Sequence, residues 1–362
     1  MARLGLGDAW RCTFANEWSG KKAAAYRAYF GASPELAVRD VASLTTDNLP
    51  DRADLAWASF PCQDLSLAGA GAGLRGARSG TFLSFWKLIE GLAFEQRSPR
   101  LIVLENVVGA ITSHGGKDFE SLIRVIAEQG YRVGALVVDA VRFVPQSRPR
   151  LFVIAAADAI DIPSRLIAEE PVPAWTPRSL EAAQAALPAA LRRRWVWWNL
   201  PEPSPRRARL EDLIEDEPRG VPWHTSEETE RLIAMMSAAN LAKLAEAQRA
   251  GGRRVGTLYR RTRPDGNGGR VQRAEVRFDG IAGCLRTPAG GSSRQTVVLV
   301  DGPTVRTRLL SPREAARLMG VPDECPVPER PNDAYHLFGD SVAVDAVAHI
   351  EQRLLHPLSA AC

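Results

Sequence analysis

Apolar strands alternate with amphipathic helices through the first half of the chain, and this alternation restricts the fold more than any other feature. Phe82, Trp86 and Ile89 recur at helical spacing, and Gly31 and Gly130 stand where helices end. Strands that alternate with helices form a mostly parallel sheet covered on both faces. The pattern predicts strands at residues 11–15, 54–59, 101–104, 132–141 and 151–157, and helices at residues 20–30, 81–96 and 119–129.

The second half has a different pattern, in which prolines are frequent, helical periodicity is weak and arginine is abundant. Residues 249–277 contain nine arginines against two acidic residues, Asp265 and Glu275. A guanidinium group meets two phosphate oxygens at once, so this stretch is a candidate polyanion-binding segment. The alternative is a solvated loop whose arginines reflect GC-rich codons.

The overall composition indicates a folded protein of two domains, since 45% of the 362 residues are hydrophobic and 24% are charged. The five cysteines form no C-x-x-C pair, which argues against a disulfide framework and a structural zinc site. No apolar run approaches the roughly 18 residues that a membrane span needs, and no secretion signal opens the sequence. We therefore expect a cytoplasmic protein without a metal cofactor or a membrane partner.

Reactive or charged side chains stand at the ends of three of the predicted strands, and open parallel sheets bind their ligands beyond strand ends of this kind. Cys62, in Pro61-Cys62-Gln63, lies just beyond the strand at residues 54–59. Glu105 ends a second apolar strand, and Arg148 and Arg150 lead into a third. Taken singly, a cysteine is most often an inert core residue, and Glu105 could simply cap a helix.

Together, a thiol, a carboxyl group and a guanidinium group suit the methylation of a cytosine ring. Carbon 5 of cytosine is a poor nucleophile. If a thiolate adds at carbon 6 while an acid protonates ring nitrogen 3, the ring becomes an enamine whose carbon 5 can attack a methyl donor. Elimination then releases the thiol.

In order and spacing, three motifs resemble those of the bacterial and phage 5-cytosine DNA methyltransferases: Pro61-Cys62-Gln63, Glu105-Asn106-Val107 and Gln146-x-Arg148-x-Arg150. Residues 306–322 and 338–342 resemble the last two family motifs, so the resemblance covers nearly the whole chain. It implies that Cys62 is the nucleophile, Glu105 the acid at nitrogen 3, and Arg150 the donor to the exocyclic oxygen. Arg148 and Gln146 would buttress this site.

The resemblance also implies S-adenosylmethionine as the methyl donor. Glu17 would bind the ribose hydroxyls, Trp18 would pack on the adenine, and Asp40 would meet the adenine amino group. Asp340 stands where the family usually has asparagine, which would bring a carboxylate near that of the cofactor. The residues expected to contact the cofactor are Glu17, Trp18, Asp40, Val41, Pro61, Asp340 and Ser341.

The implied fold is α/β, a Rossmann-like S-adenosylmethionine-dependent methyltransferase sheet with a smaller, loop-rich target-recognition domain. We expect a catalytic domain in residues 1–165, a target-recognition domain and hinge in residues 166–325, and a C-terminal return to the catalytic domain in residues 326–362. The family opens with a strand and an F-x-G-x-G turn, whereas residues 1–8 already resemble the helix that follows them. We therefore expect that first strand and glycine turn to be missing, either because translation starts upstream of Met1 or because the chain is a truncated product.

Duplex DNA is the implied substrate, bound between the two lobes with the target cytosine flipped out of the stack. Glycines that follow Cys62 would form a loop closing over the flipped base, and arginines would read guanines. The residues expected to contact DNA are Gln63, Ser66, Arg286 and Arg294.

We interpret the chain as an enzyme that transfers a methyl group from S-adenosylmethionine to carbon 5 of cytosine within a specific duplex sequence, through a covalent Cys62 adduct. A restriction-modification role would add a cognate restriction endonuclease as a partner. Two alternatives remain. One is a catalytically decayed relative that binds DNA but lacks the cofactor glycine turn, and the other is an enzyme that methylates cytosine in RNA.

Overall fold

The computed structural model describes residues 1–60, 80–264, 269–288 and 294–361. Its helices are α1 (Ala2–Leu6), α2 (Gly20–Phe30), α3 (Thr81–Phe94), α4 (Lys117–Glu128), α5 (Arg178–Ala186), α6 (Ala189–Arg192), α7 (Leu210–Leu213), α8 (Ser226–Ala234), α9 (Ala238–Arg249), α10 (Pro312–Arg317), α11 (Pro331–Gly339), α12 (Val344–Ile350) and α13 (His356–Ser359). Its strands are β1 (Ala15–Glu17), β2 (Leu36–Val38), β3 (Leu55–Ser59), β4 (Leu101–Val107), β5 (Tyr131–Asp139), β6 (Pro149–Ala157), β7 (Ile167–Ala168), β8 (Trp197–Trp198), β9 (Arg253–Pro264), β10 (Arg270–Arg277), β11 (Thr296–Asp301) and β12 (Thr304–Leu309). None of the described helices is long and apolar enough to cross a membrane.

The chain divides into two compact units that interleave along the sequence. Unit I comprises Leu6–Val138, Pro149–Glu202 and Ala348–Cys362. Unit II comprises Met1–Gly5, Asp139–Arg148 and Pro203–Val347. The chain therefore passes from one unit to the other between Arg148 and Pro149, inside the Gln146-x-Arg148-x-Arg150 motif.

Unit I has the alternating strands and helices that the sequence predicts. The face predicted for α3 is confirmed, since Phe82, Trp86 and Ile89 are all buried. Burying each such side chain contributes about 1.5–3 kcal/mol. Gly31 and Gly130 follow α2 and α4 with positive φ angles, which suit glycine. The core of this unit includes Phe82, Trp86, Ile89, Ile102, Leu104, Phe119, Ile123, Leu151 and Val153.

The predicted first strand is misplaced. It was expected at residues 11–15, but β1 spans Ala15–Glu17 and pairs in parallel with β2. Ala15 is opposite Leu36, the first residue of β2, so the residues before Ala15 have no strand partner there. The position of this strand thus depends on its neighbour and not on local apolar content.

The larger sheet of unit I has the order β3-β4-β6-β5 and is mixed instead of mostly parallel. β3 and β4 are parallel, whereas β4 and β6 are antiparallel. β5 and β6 are joined by residues 140–148 alone, too short a connection for the crossover that parallel neighbours need. The short connection explains why the sheet is mixed, which the alternation of strands with helices did not predict.

Unit II contains an antiparallel sheet with the order β10-β9-β11-β12. β9 pairs with β11 only as far as Leu258, and from there it continues with β10 as a two-stranded ribbon. The buried apolar residues of this sheet and of α8 to α11 form two clusters. The start of α10 follows from its local sequence, because Ser311 and Glu314 form a capping box after which Pro312 begins the helix.

Candidate active site and nucleic-acid groove

Glu105 and Arg150, two of the predicted catalytic residues, come together in unit I. Glu105 lies near the carboxyl end of β4 and is only 6% exposed. Because β6 runs antiparallel to β4, the start of β6 meets the end of β4, and Arg150 is opposite Val107. The Nε of Arg150 lies 3.2 Å from Oε1 of Glu105. A buried carboxylate is costly without such a partner, so this pair is the arrangement that burial requires.

Asn106, to which sequence reasoning gave no role of its own, anchors the segment that leads to the predicted nucleophile. In the parallel β3–β4 pair, Ser59 is opposite Glu105, so the two strands end at the same sheet edge. The side-chain amide of Asn106 donates a hydrogen bond to the carbonyl of Phe60 at 3.0 Å. Pro61, Cys62, Gln63 and Ser66 lie outside the described residues, as do the glycines that directly follow them.

Arg148 and Gln146 lie in unit II, where both side chains are buried and bonded to backbone atoms. The guanidinium of Arg148 donates to the carbonyls of Leu285, Gly339 and Ser341. It also lies 3.3 Å from the sulfur of Cys284.

Gln146 links two other segments of the same unit. Its amide nitrogen donates to the carbonyl of Leu318 at 2.6 Å, and its oxygen accepts from the backbone NH of Leu285 at 2.9 Å. Gln146 and Arg148 therefore fix the segment that carries Arg286, whereas their buttressing of the catalytic site stays a prediction.

The residues expected to hold the adenosine part of a cofactor lie at the carboxyl edge of β1 and β2 in unit I. Glu17 is opposite Val38, so Trp18 comes directly after β1 and Asp40 comes two residues after the end of β2. The side-chain amide of Asn16 ties this edge together by donating to the carbonyls of Ala37 and Arg39.

The chemistry of this edge fits a nucleoside. Trp18 is 78% exposed, which leaves an aromatic face open for stacking. One carboxylate oxygen of Glu17 accepts from the backbone NH of Ser19, and one of Asp40 accepts from the NH of Ala42. In each carboxylate, one oxygen is thus fixed by a backbone NH group, and the second oxygen is the acceptor for a ligand. Beside Asp40, a cavity of about 290 Å³ begins at Val41 and extends to Ser84 and Lys87 of α3.

Asp340 and Ser341 lie in unit II at the end of α11. The hydroxyl of Ser341 donates to the carbonyl of Leu337, and the Asp340 side chain is exposed. Gly339, which precedes them, has no room for a side chain, because a Cβ there would lie 2.6 Å from the nitrogen of Thr287 and 2.7 Å from the carbonyl carbon of Arg286.

Unit II also contains a groove of about 910 Å³ that is rich in arginine. Both predicted guanine readers, Arg286 and Arg294, line it and are exposed. The ribbon of β9 and β10 contributes further arginines, of which Arg261 and Arg263 form ion pairs with Glu275. His224 and Glu228 line the groove as well, and sequence reasoning missed both. A groove with this excess of guanidinium groups suits a polyanion.

Within the described ranges, no group of three or more histidine, cysteine, aspartate or glutamate side chains is placed to hold a metal ion.

Comparisons with known proteins agree on one family. The sequence model of the C-5 cytosine-specific DNA methylase family matches residues 2–356. The chain is similar to the type II methyltransferase M.HhaI of Haemophilus parahaemolyticus, with 25% identity over 341 residues that cover 94% of this chain and 86% of that protein. It is similarly 25% identical to M.HpaII of Haemophilus parainfluenzae over 378 residues, covering 99% and 86% of the two chains.

Solved structures share the fold. The Schizosaccharomyces pombe Dnmt2 methyltransferase superposes with a TM-score of 0.52 at 16% identity, over 96% of this chain and 91% of that one. A putative DNA modification methyltransferase encoded within an Escherichia coli prophage gives a TM-score of 0.54 at 16% identity, over 99% and 95%.

Proposed function

Because the chain belongs to the C-5 cytosine-specific DNA methylase family, we propose that it transfers a methyl group from S-adenosylmethionine to carbon 5 of a flipped-out cytosine within a specific duplex sequence. Membership of the family makes the protein an enzyme that methylates cytosine in DNA. The observation that carries the finer proposal is the buried Glu105–Arg150 pair at the sheet edge from which the chain continues into Pro61 and Cys62.

In the proposed reaction, the thiolate of Cys62 forms a bond to carbon 6 of cytosine while Glu105 delivers a proton to ring nitrogen 3. The addition moves electron density to carbon 5, which becomes the nucleophile. S-adenosylmethionine, when bound, supplies the electrophilic methyl group. A general base then takes the proton from carbon 5, the bond between sulfur and carbon 6 breaks, and nitrogen 3 returns its proton to Glu105, which restores the neutral aromatic ring and frees the Cys62 thiolate.

Arg150 has two proposed tasks. Its contact with Glu105 fixes the carboxyl group in one orientation, and its guanidinium group would donate to the exocyclic oxygen of the base. Arg148 and Gln146 would act indirectly, by holding the backbone around Leu285.

For the cofactor, we propose that Glu17 binds the ribose hydroxyls, Trp18 stacks on the adenine, and Asp40 with Val41 meets the adenine edge. The fixed carboxylates and the exposed indole at one strand edge support this assignment. Pro61, Asp340 and Ser341 would complete the site.

For DNA, we propose that Arg286 and Arg294 read guanines, and that Gln63 and Ser66 contact the duplex beside the flipped base. Their exposure in an arginine-rich groove supports the roles of the two arginines. We further propose a cytoplasmic enzyme of a restriction-modification system, with a cognate endonuclease as its functional partner.

The test is to measure 5-methylcytosine by mass spectrometry in unmethylated duplex DNA after incubation with S-adenosylmethionine and either the parent chain or Cys62→Ala. We expect methylation by the parent alone, with similar duplex binding by both proteins. Cys325→Ala is a matched control, since that cysteine is buried in unit II. Equal methylation by Cys62→Ala would refute the covalent mechanism, and duplex binding by the parent without methylation would support the decayed alternative.

A further inference from the structure

His224 lines the arginine-rich groove, and its position is fixed by hydrogen bonds to residues that are far away in sequence. Its Nδ1 lies 2.9 Å from the hydroxyl oxygen of Thr307, which in turn lies 2.9 Å from the hydroxyl oxygen of Thr229. Both threonines are buried. The backbone NH of His224 also donates to the carbonyl of Thr307 at 2.9 Å. The ring is thus fixed at its backbone and at one nitrogen.

The second ring nitrogen, Nε2, is on the opposite edge of the imidazole from this anchor. It makes no hydrogen bond to any residue in the described part of the chain, although His224 lines the groove. The protein therefore presents one polar atom to whatever occupies the groove, in an orientation set before binding. Such preorganisation is what a contact to a single atom of a ligand requires.

The imidazole of His224 is neutral at neutral pH, and the main cause is burial and not the neighbouring charges. Partial burial lowers the pKa of His224 below its usual value, and the nearby Arg260 of β9 lowers it further. Glu228 of α8 acts in the opposite direction. A neutral imidazole releases no counterion when it meets a phosphate, so its contribution to duplex binding differs from that of the surrounding arginines.

From this geometry we propose that His224 reads the edge of one base pair in the major groove and is a specificity-determining residue of the enzyme. The inference rests on the proposed function, because it takes duplex DNA as the occupant of the groove. Arginines in the groove would supply affinity through phosphates, and His224 would supply discrimination through Nε2.

Two substitutions of His224 distinguish the roles of its two ring nitrogens. The amide of His224→Asn takes the place of Nδ1 and can keep the bond to Thr307, but nothing remains at Nε2. The amide of His224→Gln reaches the place of Nε2 instead. Arg231→Gln is the matched control, because Arg231 lines the same groove as an exposed cation.

The experiment selects bound duplexes from a random-sequence library at pH 8 with the full chain, and maps 5-methylcytosine in the same library. We expect the parent to prefer a defined sequence. In His224→Asn, the ratio of affinities for the preferred and the other base pairs should fall roughly 5- to 150-fold at one position. The dependence of binding on salt should stay unchanged. His224→Gln should retain part of that preference. Arg231→Gln should weaken all sequences alike and reduce the salt slope by about one.

Three results would overturn the inference: an unchanged preference in His224→Asn, a uniform loss of affinity with a reduced salt slope in that variant, or a parent that binds all sequences equally. Failure of the proposed function is distinguishable, since it would appear as sequence-selective binding by the parent without any 5-methylcytosine.

Discussion

The carboxyl edge of the unit I sheet and the groove of unit II both use arginine, but in opposite ways. Arg150 is largely buried and its charge is balanced by Glu105. Arg286 and Arg294 are exposed, and within the described ranges neither has an acidic partner. A guanidinium paired with a buried carboxylate has one fixed direction and can act on a single atom. An exposed guanidinium group can pair with any phosphate, which favours binding affinity over discrimination between sequences.

Arg148 shows a third use of the same residue type. It is only two positions from Arg150, yet its donors are directed at backbone carbonyls of unit II. Guanidinium groups can thus orient a carboxylate, hold a backbone or attract a polyanion, and the partner group decides which. The following predictions test this difference, beginning with the largest expected effect.

Replacing Glu105 with glutamine should lower the single-turnover rate of methyl transfer by roughly 10²- to 10⁴-fold, because the amide has no proton of suitable acidity for ring nitrogen 3. Rapid-quench measurement of product on duplex DNA would give the rate. Glu128→Gln, an exposed glutamate on α4, is the control and should leave it unchanged. A Glu105→Gln enzyme as fast as the parent would show that the buried pair is structural only.

Replacing Arg148 with methionine should destabilise unit II by about 2–5 kcal/mol, because the carbonyls of Leu285, Gly339 and Ser341 would lose their charged donor in a buried place. Urea unfolding would measure the loss. Arg124→Met on the surface of α4 should cost less than about 1 kcal/mol. Equal stability of the Arg148 variant and the parent would contradict the backbone-holding role.

Replacing Gly339 with alanine should cost about 1–3 kcal/mol, because the new methyl group would collide with the backbone of Arg286 and Thr287. The displaced segment carries a proposed guanine reader, so duplex affinity should fall severalfold in a fluorescence anisotropy titration. Gly109→Ala, where a Cβ meets open space, is the control. Unchanged affinity and stability would show that this segment can shift freely.

Replacing Glu275 with glutamine should have the smallest effect and the opposite sign. It would release Arg261 and Arg263, so duplex affinity should rise roughly two- to ten-fold and the salt slope should steepen. Stability should change by less than about 1 kcal/mol, since these pairs are exposed. Glu230→Gln on α8, an exposed glutamate that does not line the groove, is the control, and weaker binding by the Glu275 variant would contradict the prediction.

The same substitution has a defined pH dependence. The hydrogen bond from Arg263 holds the pKa of Glu275 below its usual 4.5. The carboxylate therefore stays ionised through the neutral range, and the affinity difference between variant and parent should be constant from about pH 6 to pH 8. Its small contribution to stability is present above the usual pKa and is lost as the pH falls through the lowered one.

Local sequence determined most of the elements of unit I. Apolar runs and helical spacing predicted β3, β4, α3 and α4, and glycine marked two helix ends, because burial and backbone conformation act on neighbouring residues. The position of Glu105 at the end of an apolar strand was likewise readable, and so was the capping box of α10. The resemblance of three motifs then indicated the family.

Tertiary structure alone decided which groups meet. Sequence pattern gave neither the direction of β6 nor the register of β1, since both depend on a partner strand and on the length of a connection. It placed Arg148 and Arg150 together, whereas the fold assigns them to different units. It also missed His224, whose ring is held by Thr307 of the edge strand β12. A hydrogen bond depends on distance in space, and strand order brings together residues that the sequence keeps far apart.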